Sequence, residues 1–153
     1  MSGSWLYQKC IVVIGGTTGI GLSAAQAFVD HGAKVVVVGR NAESVDKATA
    51  LLKEDGVGIA GDASQPGTAS RAIGLCKKKF GSFHGLYHVA GGSGRKFGNG
   101  PLHELTLEGW NQTFQLNLTS LMLSNQEAIK VFLEQKTPGT ILNMGSVLGF
   151  SPS

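Results

Sequence analysis

The feature that most constrains this chain is an alternation. Short apolar runs, rich in β-branched residues, take turns with longer segments whose apolar residues recur at helical spacing. Cys10–Ile14 reads CIVVI and stops at glycine, and residues 34–38 read KVVVV. Residues 57–60, 86–90 and 140–144 are further runs of this kind. A strand that is apolar on both sides must be covered above and below, which points to a parallel sheet between two helix layers. The covering segments are legible too. Leu22, Ala25 and Val29 repeat at helical spacing before Gly32, and Val45, Ala48, Leu51 and Leu52 share one face of a helix expected over 42–54. Ala69, Ala72, Ile73 and Cys76 form the inward face of a helix over 65–79, after which Lys77, Lys78 and Lys79 suit the negative end of the helix dipole. A long helix from about 107 to 134 carries the stripe Leu107, Trp110, Phe114, Leu118, Leu121, Ile129 and Phe132. The fold class expected is α/β, a Rossmann-like doubly wound parallel sheet truncated after its fifth strand.

Composition narrows the class. At 153 residues the chain fits one domain with a real core, and 42% hydrophobic against 15% charged residues excludes disorder. A net charge of +3 is too mild to argue for nucleic acid or a membrane surface. No apolar run approaches the roughly 20 residues that span a bilayer, and residues 1–9 lack the pattern of a signal peptide, so a cytoplasmic protein is expected. Cys10 and Cys76 have neither CxxC nor zinc spacing and read as buried thiols; no metal is expected.

In a doubly wound sheet ligands sit at the carboxyl ends of the strands, near the point where strand order reverses. The first strand-to-helix turn is Gly15-Gly16-Thr17-Thr18-Gly19-Ile20-Gly21, with four glycines in seven positions. Bare backbone at a helix start suits a phosphate, because the free N–H groups and the positive dipole end face it. The competing reading is a tight turn with close helix–strand packing. Two registers are available. The run from Gly19 to Ala24 fits G-x-G-x-x-A but begins late, whereas Gly15-x-x-x-Gly19-x-Gly21 begins directly after the strand. About 20 residues on, where an acid would bind a ribose hydroxyl, the chain has Val38-Gly39-Arg40-Asn41. A guanidinium there suits a 2′-phosphate, so NADP is expected ahead of NAD; the alternative is a surface arginine at a strand end.

Taken together, these residues resemble the short-chain dehydrogenase/reductase family, of the classical type, from about residue 8 onward. The glycine turn resembles the family's T-G-x-x-x-G-x-G loop, with Ile14 in place of the threonine. The resemblance implies coenzyme contacts from Gly15, Thr17, Thr18, Gly19, Ile20 and Gly21. It also implies that Asp62 and Ala63 contact adenine. His88-Val89-Ala90-Gly91 stands where the family has N-N-A-G, keeping Ala90 and Gly91 but neither asparagine. Asn117, in FQLNL, resembles the asparagine of the catalytic tetrad, and Ser146, in ILNMGSVLG, resembles the catalytic serine. The implied activity is hydride transfer between NADP(H) and a small carbonyl or alcohol substrate, by a homo-oligomer when full length.

The tetrad's other two members, a tyrosine and lysine in Y-x-x-x-K, find no match. Tyr7 precedes the first strand, and Tyr87 lies inside the fourth, where a core role is expected. Three readings stay open: the N-terminal part of a reductase, a non-catalytic dinucleotide-binding module or partner subunit, and a product that does not fold stably. Stopping after strand five is expected to leave a sheet edge unpaired and an apolar face of the long helix without its neighbour. The glycine-rich segment 92–100, with Arg95 and Lys96, is expected to form a mobile loop tip; the alternative is contact with an acidic substrate.

Overall fold

The computed structural model describes residues 5–151, the Leu148 side chain excepted; the ends of the expected 1–153 domain, and residues 1–4 of the leader reading at 1–9, lie outside the described residues. Five parallel strands form one sheet in the order β3-β2-β1-β4-β5. They are β1 (Cys10–Ile14), β2 (Lys34–Gly39), β3 (Gly56–Ala60), β4 (Gly85–His88) and β5 (Thr140–Asn143). Between them run α1 (Gly19–Asp30), α2 (Ala42–Leu52) and α3 (Thr68–Phe80), and then α4 (Leu107–Phe114) and α5 (Ser120–Gln135). Strand order reverses between β1 and β4, so the first turn lies at the switch point.

The two central strands show why the apolar runs are continuous. Val12, Ile14, Val36 and Val38 face α3 and α5, while Ile11, Val13, Val35 and Val37 face α1 and α2. Both faces are buried, and each such side chain contributes about 1.5–3 kcal/mol. Phe83 and Phe132 stack with centroids 4.9 Å apart, tying the entry of β4 to the end of α5. Both thiols are free and buried, and burial pushes the Cys76 thiol up to about 12.

Boundaries depart from expectation where side chains compete for the main chain. α3 starts at Thr68 rather than near 65, because Asp62 Oδ1 accepts from both the N–H and the hydroxyl of Ser64 and holds the preceding residues in a turn. β4 stops at His88, because the N–H groups of Val89 and Ala90 both turn in to the Ile14 carbonyl. α2 ends at Leu52 and Leu51 faces solvent, which corrects its placement on the packed face. The long helix is interrupted: residues Gln115–Thr119 form a wider π turn between α4 and α5. Its packed face is made of the small side chains Ser120, Ser124 and Ala128. Leu107, Trp110, Phe114, Leu118 and Ile129 look outward, and only Leu121 and Phe132 of the expected stripe are half-buried.

Candidate functional site

A cleft of about 410 Å³ opens at the carboxyl ends of β1, β2 and β4. Gly15, Thr17, Thr18, Gly19, Ile20, Gly21, Arg40, Asp62, Ala63, Ala90 and Gly91 all line it. Sequence separates these residues by up to three strands; the sheet register joins them. The N–H groups of Gly15 and Gly16 both donate to the Val38 carbonyl, at 2.9 and 3.0 Å. Ile14 accepts from Val89 and Ala90 at 2.8 and 2.9 Å, so the turn is fastened to both neighbouring strands.

Within the turn, two glycines do different jobs. Gly15 has φ +84°, and a Cβ there would come within 2.6 Å of the Ala90 main-chain nitrogen. It is bare so that two backbones can cross. Gly19 has φ +50°, yet no atom lies within 4 Å of where its Cβ would stand. It is bare beside open space in a turn that lines the cleft. These positions match the register that starts directly after β1.

α1 begins at Gly19 with Thr18 extended before it, no side chain capping its first turn and no acidic residue within that turn. The first N–H groups of α1 have no partner inside the helix, and the positive dipole end is not offset locally. Thr17 is largely buried against Gly39, where any side chain would collide with the Thr17 hydroxyl. Arg40 follows β2, exposed at the cleft, and among the described residues no carboxylate pairs with it. Across the cleft, the Gly61 N–H donates to the Gly39 carbonyl at 2.9 Å, and Asp62 follows in the turn already described.

The two expected catalytic residues stand elsewhere. Asn117 occupies the π turn behind the cleft. Its Oδ1 accepts from the Gly92 N–H at 2.9 Å, and its Nδ2 donates to the Gly92 and Thr113 carbonyls at 2.8 and 2.9 Å. The amide thus braces the loop after β4 against the helix. Ser146 is exposed beyond the end of β5 and outside the cleft lining. The 92–100 segment includes a short helical turn, Arg95–Phe97, held by the Thr106 hydroxyl donating to the Phe97 carbonyl at 2.9 Å.

Ser44, Gly61, Ser64 and Ser120 also line the cleft and had no reading from sequence, while Asn41 and Leu116 had been quoted only as neighbours of Arg40 and Asn117. Asn41 carried a readable signal, since its Oδ1 caps α2 by accepting from the Ser44 N–H at 2.9 Å. Ser120 carried none, because only the tertiary fold brings α5 to the cleft. Among the described residues, no three His, Cys, Asp or Glu side chains are grouped to hold a metal ion. No described helix is long and apolar enough to cross a membrane. An uncapped helix start, a guanidinium that no carboxylate pairs with among the described residues, and a polar turn around one cleft can hold an anionic ligand.

Comparison with known proteins agrees with this arrangement. The chain is 31% identical to 2-(S)-hydroxypropyl-CoM dehydrogenase 3 of Xanthobacter autotrophicus, over 94% of its own length and 56% of that protein. It is 30% identical to the NADP-dependent (R)-specific alcohol dehydrogenase of Lentilactobacillus kefiri, over 95% and 57%. The chain therefore spans little more than half the length of these relatives. Among solved structures, a short chain dehydrogenase from Bacillus anthracis superposes with a TM-score of 0.87 at 24% identity, covering 97% of this chain and 59% of that one. A 3-ketoacyl-(acyl-carrier-protein) reductase from Brucella melitensis, complexed with NADH, gives 0.86 at 22%, covering 97% and 61%. These two establish the fold. The family description "short chain dehydrogenase" matches residues 9–153, and on that match the chain belongs to the short chain dehydrogenase family.

Proposed function

We propose that these residues form the coenzyme-binding part of an NADP-dependent oxidoreductase, a single Rossmann domain that spans little more than half the length of the relatives it matches. The whole protein would transfer a hydride between NADP(H) and a small carbonyl or alcohol substrate. One observation carries the reading: the uncapped start of α1 stands behind a turn whose Gly19 leaves the cleft side bare. A dinucleotide fits this cradle, because a diphosphate supplies the acceptors that the α1 N–H groups lack. Residues 15–21 would hold that diphosphate, Arg40 a 2′-phosphate, Asp62 and Ala63 the adenine, and Ala90 and Gly91 the adjoining ribose side of the cleft. The chemistry supplied by a bound nicotinamide is hydride transfer.

The chain's own residues would do the rest. The Ser146 hydroxyl would donate a hydrogen bond to the substrate oxygen as it gains charge. Asn117 would keep the loop after β4 and the π turn in register, and that helix would hold a water for proton relay. The preference for NADP over NAD rests on Arg40, a fixed cation that no carboxylate pairs with among the described residues. An NADP-dependent relative supports it, while a structural neighbour was solved with NADH. A cytoplasmic location and association of copies through the outward apolar residues of α4 and α5 belong to the same proposal.

Isothermal titration tests it. The expected result is 1:1 binding of NADPH, tighter than NADH, with Arg40→Asp reversing the preference. No heat at about millimolar ligand, a free energy near 4 kcal/mol, would refute the cleft's role. An unchanged preference in Arg40→Asp would refute that of Arg40. A second reading, a non-catalytic dinucleotide-binding module or partner subunit, is favoured by the placement of Tyr87. It is 7% exposed in β4, its ring packed edge-on to Phe28 at 6.2 Å, and so is unsuited to donate a proton to substrate. NADPH binding without NADPH oxidation across a panel of carbonyls would support that second reading.

A further inference from the structure

His88 closes β4 and is buried to 1% exposure beside the cleft, where it makes three polar contacts. Its Nε2 lies 2.9 Å from the Ala90 carbonyl and 3.3 Å from the Ser120 hydroxyl; its Nδ1 lies 2.7 Å from the Ser124 hydroxyl. Ala90 and Ser120 both line the cleft. A carbonyl only accepts, so the ring proton sits on Nε2. In the neutral ring Nδ1 is then an acceptor, and Ser124 supplies the proton it needs. The Ser124 oxygen is also 2.6 Å from the Ser120 carbonyl, so its single proton serves whichever acceptor is bare. The Ser120 hydroxyl is engaged with the Leu116 carbonyl at 2.7 Å. Of the groups around the ring, the Ala90 carbonyl is thereby satisfied only with a proton on Nε2.

We propose that His88 is a positioning residue for the coenzyme cleft: its Nε2–H clamps the Ala90 carbonyl against α5, so that the main chain of Ala90 and Gly91 keeps the shape a bound dinucleotide requires. The inference rests on the reading that this cleft holds a dinucleotide. Gly15 makes the clamp matter, since its Cα hydrogens already lie against the Ala90 main chain with no room for a Cβ. Any drift of Ala90 moves the floor beneath the glycine turn. Burial favours the neutral ring, lowering the affinity of His88 for a second proton against the weaker opposing pull of the Ala90 carbonyl. Among the described residues, burial and the Ala90 carbonyl are the two influences on that affinity. β4 and β5 carry no other ionisable side chain besides Tyr87, and β1 carries only Cys10, at its opposite end. α3 carries the buried Cys76 and the exposed Arg71, Lys77, Lys78 and Lys79, and α5 carries the exposed Glu134 and the pair Glu127 and Lys130, 2.7 Å apart.

Two measurements test the clamp. Nitrogen–proton correlation spectra of the imidazole at neutral pH are expected to show Nε2 protonated and Nδ1 bare; a proton on Nδ1 would overturn the proposal. NADPH affinity is then compared in His88→Gln, whose amide nitrogen falls where Nε2 was, and His88→Leu, which has no donor. Gln is expected to bind within about threefold of wild type, and Leu to lose about tenfold or more, while both lose thermal stability. A purely structural role would make affinity follow stability instead. Unchanged affinity in Leu, or an equal loss in both variants, would overturn the clamp. If Leu does not fold, a tenfold loss in Gln alone would do so. A wild-type chain that binds no NADPH would overturn the dinucleotide reading as well, which separates the two failures.

Discussion

Adding one methyl group at Gly19 separates the needs of folding from those of binding. The position has φ +50°, so alanine there pays about 1–2 kcal/mol for left-handed backbone. Alanine also lowers the entropy of the unfolded chain, returning about 0.4–1 kcal/mol. No neighbour lies within 4 Å of the new carbon, so nothing is overpacked. The net cost of Gly19→Ala is therefore about 1 kcal/mol. Gly15→Ala meets the same backbone penalty plus a collision with Ala90 main chain at 2.6 Å, where neither partner can rotate away. Overpacking of that kind adds about 1–3 kcal/mol, for a total of about 2–4. Urea unfolding followed by circular dichroism measures both. Binding should rank the other way relative to stability. The Gly19 methyl enters the space assigned to the diphosphate and displaces one charge-assisted bond, about 1.5–3 kcal/mol, or roughly 10–150-fold in NADPH affinity. A Gly19→Ala variant that folds and binds NADPH like wild type would show that the bare turn serves packing alone.

Two further outcomes follow from the hydrogen-bond network. His84 Nδ1 accepts from the Cys10 N–H at 3.0 Å, and burial, with Lys9 nearby, holds His84 below the ordinary histidine value of 6.5; burial does the same to His88. Both rings therefore take protons more readily when unfolded, so stability should be level above about pH 7 and fall as pH drops through 6.5 toward their lowered folded values. Urea midpoints against pH check the sign, and a midpoint that rises on acidification would contradict it. Asn117→Ala removes three hydrogen bonds, two to Gly92 and one to Thr113, and should destabilise the chain by about 1–2 kcal/mol. Amide exchange should accelerate first at Gly92, and unaltered exchange there would contradict the bracing role.

The central strands were legible because burial on both faces leaves no polar position to confuse the period, as Val35 to Val38 show. The cleft lining was legible because the glycine turn and Arg40 follow their strands directly and Asp62 comes two residues after β3. The long helix was harder for a physical reason. Periodicity finds a stripe of large apolar residues but does not say whether that stripe meets its own sheet. Here Ser120, Ser124 and Ala128 meet the sheet, because small side chains let α5 approach closely, and the π turn at Asn117 shifts the stripe's phase midway. His88 was visible as a departure from the family's asparagine, but its three partners come from α5 and the following turn, which no local pattern connects to β4. Leu51 failed because α2 ends one residue later, where the chain turns away from the sheet through Lys53 at φ 55°.

The most direct measurement is amide chemical-shift mapping while NADPH is titrated into the labelled chain. The account predicts that the largest changes fall on Gly15, Gly19, Gly21 and Arg40, with smaller ones at Asp62 and Ala90. Changes centred elsewhere, or none at saturating coenzyme, would contradict it.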